Sequence, residues 1–364
     1  MPKVLFLTTA LASGGPVAVV LSMARALSQR GVDCAVWGIA TPEPGLQLDS
    51  GLTFRSLNLP KQAIHRETTR RLTEELSQAR PEVLHLHSFT THVHGVRAAR
   101  AIGLRPTLVS FHDFRLGARR AWTCRRLAPW VDRVVVLNET MCRLYAQAGR
   151  YPPEKLFVLP NAVDTGYFSP GARDETLARQ WGLGSEEYLI GSVGGLNHNK
   201  GHGFLVEAFA QVRSKLPGAR LILVGAGRDR VHLEELVARL GLADRVLFAG
   251  KQTNIRSWLS LLDLYVQPSR IEADPLSVHE AMAMQLPIIG TDRGGLPELL
   301  GYGEAGLLVP PADPQALAKG ILALAGDAAR AQALARAARA RAVKCYDLAE
   351  YGERLWELYE PLLD

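Results

Sequence analysis

The chain has 364 residues, a length that accommodates two α/β domains of ordinary size. Hydrophobic residues make up 47% and charged residues 21%, which excludes a disordered or fibrous chain. The net charge of +6 favours anionic partners, whether a diphosphate, an acidic membrane surface or a nucleic acid, without choosing among them.

Two readings compete at the N-terminus. Lys3 followed by VLFLTTALA, with Ala10 and Ala12 spaced as at a cleavage site, imitates a signal peptide. The other reading is a buried first strand, VLFLTT, then a Gly-rich turn and a helix. The direct continuation into the amphipathic VAVVLSMARAL favours the strand. No apolar run approaches the roughly 18 residues of a membrane-spanning helix.

Short apolar runs then alternate with helical patterns. Strands are predicted at Val4–Thr8, Cys34–Gly38, Val83–His87, Thr107–Phe111, Arg133–Leu137 and Leu156–Leu159, with helices at Val17–Arg30, Arg66–Ala79 and Glu139–Ala148. The pattern restarts with strands at Tyr188–Val193, Arg220–Val224, Val246–Phe248, Leu264–Gln267, Ile288–Gly290 and Gly306–Leu308. Helices fit Gly203–Ser214, Val231–Leu240, Asn254–Leu261, Leu276–Ala283 and Pro314–Ala325. Such alternation gives parallel sheets covered by helices. The turn-rich segment Pro160–Pro170 separates the halves. The expected domains are 1–165, to which 346–364 returns as an amphipathic helix, and 166–345. Facing doubly wound domains would place the chemistry in the cleft at the carboxyl ends of their strands. Cys34, Cys124, Cys142 and Cys345 have no metal-binding spacing, so reduced thiols in a cytoplasmic protein are expected.

The most informative segment is PSRIEADPLSVHEAMA, from Pro268, which follows an apolar strand and opens a helix. Asp274 fits an N-cap and Pro275 the first helical position. The helix start, with Leu276 and Ser277, offers backbone amides to an anion. Glu280 lies more than one turn in, within reach of a ribose whose diphosphate sits at that start, and its carboxylate can accept from both ribose hydroxyls. Glu272 precedes the helix, at a position that could contact a group carried beyond that diphosphate.

Glu272 and Glu280 are separated by seven residues, and AMAMQLPIIGTDRGGLPELL and GEAGLLVPPADPQALAKGI follow. LASGGP, HLHS, TLVSFHDF, PNAVDTGYF, GSVGGLNHNKGH, ARLILVGAGRDR and VLFAGKQTN occur in order before them. Over nearly the whole chain this set resembles the retaining EX7E glycosyltransferases of family 4, which have the GT-B fold of two Rossmann-like domains. The resemblance implies a UDP- or GDP-linked sugar donor and a glycan, lipid-linked or small-molecule acceptor bound mainly by the N-domain. It also implies net retention, in the setting of cell-surface polysaccharide synthesis.

Carried over residue by residue, Glu280 matches the ribose ligand and Glu272 the first glutamate of the pair, its task open. Lys200 matches the lysine that grips the diphosphate. Gly14 and Gly15 match the loop that lets the phosphates approach the backbone, and Gly194 lies in the corresponding loop of the second half. Backbone near Gly250 and Lys251 is expected to read the base. His112 resembles the family histidine near acceptor and sugar, with Asp113 available to orient its ring, and with His87 and Arg115 on the acceptor side.

Two departures stand out. Gly195 occupies the place of an arginine that usually partners the lysine, leaving His198, His202, Arg228 and Arg270 as substitutes and weaker donor binding as the alternative. Ala273-Asp274-Pro275 replaces the usual Gly-Phe-Gly, so Asp274 either sits beside the phosphates or points away.

His85, His87, His92 and His94 invite a zinc reading, but no Cys or acidic cluster completes it. The chain has no Asp-x-Asp. A reaction without metal or other cofactor is therefore expected. Arg115, Arg119, Arg120, Arg125 and Arg126, with Trp122 and Trp130, read either as a solvated helix face or as a contact for an anionic acceptor or membrane surface. No nucleic-acid module accompanies them. An epimerase on the same fold and a non-catalytic nucleotide-sugar binder are the alternatives.

Overall fold

A computed structural model of the chain describes residues 3–12, 15–43, 51–60 and 65–363. The chain divides into two compact units, Met1–Ala162 with Leu348–Asp364, and Val163–Asp347. Gly14, assigned to the phosphate loop, lies outside the described residues.

The first unit contains β1 (Val4–Ala10), α1 (Gly15–Gln29), β2 (Cys34–Ala40), β3 (Thr53–Ser56), α2 (Arg66–Ala79) and β4 (Val83–His87). It continues through α3 (Phe89–Ala101), β5 (Thr107–Ser110), α4 (Ala118–Leu127), β6 (Arg133–Val136), α5 (Glu139–Gln147) and β7 (Leu156–Val158). Its strands pair in the order β3-β2-β1-β4-β5-β6-β7, all parallel. The signal-peptide pattern at the N-terminus is thus a buried central strand, apolar along its length because parallel strands are covered on both faces.

Two elements of this unit are absent from the sequence reading. β3, TFRS, is an edge strand with two exposed positions and no apolar run. α3 opens with FTTHVH, whose β-branched and His residues are poor helix formers. The Ser88 side chain caps it by accepting from the Thr91 amide, and most of its residues are buried by tertiary packing.

The second unit contains α6 (Glu175–Gln180), β8 (Tyr188–Val193), α7 (His202–Arg213), β9 (Ala219–Val224), α8 (Arg230–Arg239), β10 (Val246–Gly250), α9 (Ile255–Leu259) and β11 (Leu264–Gln267). Then come α10 (Leu276–Ala283), β12 (Ile288–Thr291), α11 (Leu296–Leu299), β13 (Leu307–Val309), α12 (Pro314–Ala325) and α13 (Ala328–Cys345). The sheet order is β10-β9-β8-β11-β12-β13, again all parallel. Alternation along each strand builds two cores. Leu189, Ile222, Tyr265 and Ile288 enter one, and Ile190, Leu221, Leu264 and Ile289 the other.

The final helix, α14 (Leu348–Tyr359), belongs to the first unit and packs on α1. The Tyr359 hydroxyl meets Nδ1 of the buried His85. Among the described residues no helix is long and apolar enough to cross a membrane. The cysteines are free, and burial pushes the Cys34 thiol up to about 12 and Cys124 to about 11.

Candidate active site

In the second unit the strand order reverses between β8 and β11. The connections leaving these two strands run in opposite directions, and open α/β sheets bind ligands in the crevice this creates. The loop after β8 carries Lys200. The loop after β11 carries Glu272 and leads into α10, which carries Glu280.

Backbone contacts weld these loops together. The Arg270 amide donates to Asn199 O at 2.8 Å. Gly201 has φ of 70°, and a Cβ there would lie 2.0 Å from Pro268 O, so only glycine allows the approach. The Glu272 carbonyl accepts from the Gly295 amide at 2.9 Å, while a Cβ on Gly294 would lie 2.1 Å from that same oxygen.

A polar chain runs from the core to this crevice. The Tyr265 hydroxyl lies 2.8 Å from both Gln267 Oε1 and Ser277 Oγ, Gln267 Nε2 donates to Ser269 Oγ at 2.8 Å, and Ser269 Oγ donates to Glu272 Oε2 at 3.2 Å. Lys200 Nζ reaches the same Glu272 oxygen at 2.5 Å, forming a half-buried ion pair. Sequence reasoning found both ends of this pair but not their contact, and it missed Tyr265, Gln267 and Ser269. For Tyr265 and Gln267 the only signal was a polar group on an otherwise apolar strand; Ser269, in the loop that follows, had none.

Glu280 differs from Glu272. No hydrogen bond or ion pair to its carboxylate is made among the described residues, and burial pushes its pKa up to about 8. A desolvated carboxylate without a partner is costly unless a ligand supplies donors.

The structure corrects the N-cap assignment. Pro275, extended at φ −76° and ψ 119°, holds the cap position of α10, and no side chain caps the helix. Asp274 is buried, and its Oδ1 lies 2.7 Å from Nε2 of His279 on α10. Leu276 and Ser277 form the first turn, whose amides have no intrahelical acceptors. The start of α10 therefore has no side-chain cap.

Of the substitutes for the arginine absent at Gly195, burial lowers His202 to about 4, so it is neutral near pH 7. Arg228 is exposed beside Asp229, Arg270 lies over the Phe204 ring, and His198 lines a cavity of about 200 Å³ with residues of α7 and α8. Gly250 ends β10 at φ 71°, with exposed Lys251 after it. Arg230, which the sequence reading did not single out, approaches this turn and lies over Phe248.

In the first unit, Gly15 is the exposed first residue of α1. His87 Nδ1 and His112 Nε2 lie 3.1 Å apart with stacked rings. Burial, with His85 and His112 nearby, holds His87 well below the usual histidine range. The Asp113 carboxylate, expected to orient the His112 ring, accepts at Oδ1 from the Arg115 amide at 2.8 Å and from Arg120 Nη1 at 3.5 Å. The remaining histidines of the zinc reading have separate partners: His85 meets Tyr359 and Ser110, His92 meets Tyr151, and His94 meets Thr69.

Two family models match consecutive stretches of the chain. The one described as Glycosyltransferase Family 4 covers residues 13–167, and the one described as Glycosyl transferases group 1 covers 187–327. The lipopolysaccharide core biosynthesis mannosyltransferase LpsB of Rhizobium meliloti is 28% identical over 73% of this chain and 79% of its own length. The N-acetyl-alpha-D-glucosaminyl L-malate synthase of Bacillus anthracis is 35% identical over 43% of this chain and 41% of its own. The crystal structure of Anabaena Alr3699/HepE in complex with UDP and glucose superposes with a TM-score of 0.86 at 22% identity, covering 99% of this chain and 100% of that one. With matching models over both units and this fold, the chain belongs to glycosyltransferase family 4 and is a glycosyltransferase with the GT-B fold.

Proposed function

We propose that the protein is a retaining hexosyltransferase that moves a sugar from a UDP- or GDP-linked donor to a hydroxyl of a glycan, lipid-linked or small-molecule acceptor, without metal or other cofactor. The second unit holds the donor. The observation that carries this reading is the grouping at one switch point: the Lys200–Glu272 pair, the uncapped start of α10 and the unpartnered Glu280 carboxylate one turn further along. The UDP and glucose bound by the structural relative and the sugar-transfer names of the sequence relatives support it.

Glu280 accepts from the ribose hydroxyls, and the diphosphate lies over the start of α10 with Lys200 beside it. During transfer the bond from the anomeric carbon to the diphosphate oxygen breaks. The acceptor oxygen bonds to that carbon on the face the diphosphate leaves, and the acceptor proton passes to the departing diphosphate. Lys200 and the first-turn amides stabilise the charge that grows there. No carboxylate attacks the sugar, unlike retaining glycosidases. Glu272 neutralises Lys200 before the donor arrives and faces the sugar afterwards.

The test is incubation with a panel of UDP- and GDP-sugars, following free nucleotide. Slow release without acceptor is expected from the wild type. Lys200→Met should slow it by roughly 10²–10³-fold, the scale of removing one transition-state charge contact. Binding without any turnover, or a Lys200→Met rate equal to wild type, would overturn the reading.

A further inference from the structure

The cavity beside His112 in the first unit has a composition that donor binding does not explain. It encloses about 180 Å³ between the start of α3 and the loop that leads into α4, and Ser88, Phe89, His112, Arg115, Arg120 and Tyr145 contribute to its walls. Its volume admits a compact head group, not an extended glycan.

Arg120 is fixed in place. Its guanidinium lies 4.7 Å from the Phe89 ring centroid, and Nη1 donates to Arg115 O at 3.0 Å and to Asp113 Oδ1 at 3.5 Å. Both hydrogens of Nη1 are thereby used. The Nε and Nη2 hydrogens have no acceptor among the described residues. A guanidinium held by stacking with one edge unused is preorganised for a carboxylate or phosphate.

The surroundings point the same way. The cavity's one carboxylate, Asp113, is half-exposed and already accepts from the Arg115 amide. α4 contains no acidic residue and adds Arg119, Arg125 and Arg126 to the local field. Ser88 uses its side chain to cap Thr91, which leaves the Phe89 and Thr90 amides at the cavity wall without intrahelical acceptors. Ser88 itself sits at φ 115°, a costly conformation for a residue with a side chain, as found where backbone is shaped for a ligand. The aromatic floor, Phe111 stacked on Tyr145 with centroids 4.2 Å apart, suits the carbon skeleton behind a charged group.

We propose that this cavity is an acceptor subsite for an anion, so that the acceptor is a hydroxylated molecule carrying a phosphate or carboxylate, with Arg120 as the principal contact and Arg115 as the second. The proposal rests on the glycosyltransferase reading for the word acceptor; the anion preference stands on the cavity alone.

The experiment compares glycerol 3-phosphate with glycerol by ligand-observed NMR on the full chain, with UDP or GDP saturating so that the diphosphate-binding positions are filled. Glycerol 3-phosphate should bind at least roughly tenfold more tightly than glycerol, the scale of one charge-assisted hydrogen bond. Arg120→Gln should remove most of that preference, and Arg115→Gln with Arg120→Gln should abolish it. Nucleotide affinity should stay at the wild-type value and the melting temperature within a few degrees of it, which excludes misfolding, and Arg120→Lys should restore part of the preference. Equal binding of the two probes, or a preference that survives the double substitution, overturns the proposal. Loss of all donor turnover with the preference retained would instead sink the glycosyltransferase reading and leave the anion site standing.

Discussion

Glu280 is the residue where burial and chemistry conflict most. Its pKa, pushed up to about 8 by desolvation, makes it an acid that the folded chain prefers to keep protonated. Below its ordinary value of 4.5 the side chain is neutral in both states, and its stabilising protonation is fully present. As pH rises towards 8 the unfolded chain ionises while the fold holds its proton, so stability is lost through that window and levels off above it. Ribose hydroxyls need the ionised form as acceptor, so nucleotide binding releases this proton and tightens by up to about tenfold per pH unit below 8. Glu280→Gln should match wild-type stability near pH 4.5 and exceed it at pH 8. It should also weaken nucleotide binding by roughly tenfold or more and erase the pH slope. Denaturant melts at the two pH values and titration calorimetry in buffers of different ionisation enthalpy measure both effects; an unchanged slope in Glu280→Gln would remove the ribose assignment. The two glutamates are legible in the sequence because their spacing and the strand before them are local features. The Lys200–Glu272 ion pair is not, since it joins positions 72 apart through a loop contact that only Gly201 permits. Asp274 reads as a cap because it precedes Pro275, and its actual partner, His279, lies inside the helix and competes for the carboxylate.

At the scale of elements, α10 positions Glu280, and the chain fixes this helix at both ends. Asp274 is clasped to His279 near its start. At its other end Arg339, on α13, donates to the Ala283 carbonyl at 2.8 Å and to the carbonyls of Thr165 and Phe168 at 3.0 and 2.9 Å. A cation on the last carbonyls of a helix also complements its dipole. Arg339→Ala should cost the second unit about 2–4 kcal/mol, because three carbonyls lose a charged donor together. Lys in its place should recover little of this, since one ammonium cannot reproduce a planar fork. Chemical denaturation checks both, and a loss below about 0.5 kcal/mol would show that water satisfies those carbonyls equally well. Elements of this kind differ in how far sequence exposes them. Central strands such as YLIGSV and LYVQ announce themselves by apolar runs. α3 does not, because it is helical through burial against its neighbours, and β3 does not, because an edge strand needs no apolar face.

Across the whole molecule, two units with separate sheets and cores give ligand binding a spatial signature. Apart from Gly14 and Gly15, the residues assigned to the nucleotide lie on loops after β8, β10 and β11 and on α10, in the second unit. A ligand that binds only the folded form stabilises it by mass action, about 2.7 kcal/mol at a hundredfold excess over Kd. That stabilisation acts on every opening that destroys the site. Hydrogen exchange with saturating UDP or GDP should therefore slow at the amides of β8, β11 and α10, where exchange requires the unit to open. In the first unit the interior amides of β2 and β6, which carry none of the assigned donor residues, should exchange at the ligand-free rate. Glycerol 3-phosphate added alone should give the converse pattern, with protection at the start of α3 and along residues 111–120. Uniform slowing of both sheets by the nucleotide would mean that the units unfold as one cooperative body, and the division of labour between them would have to be abandoned.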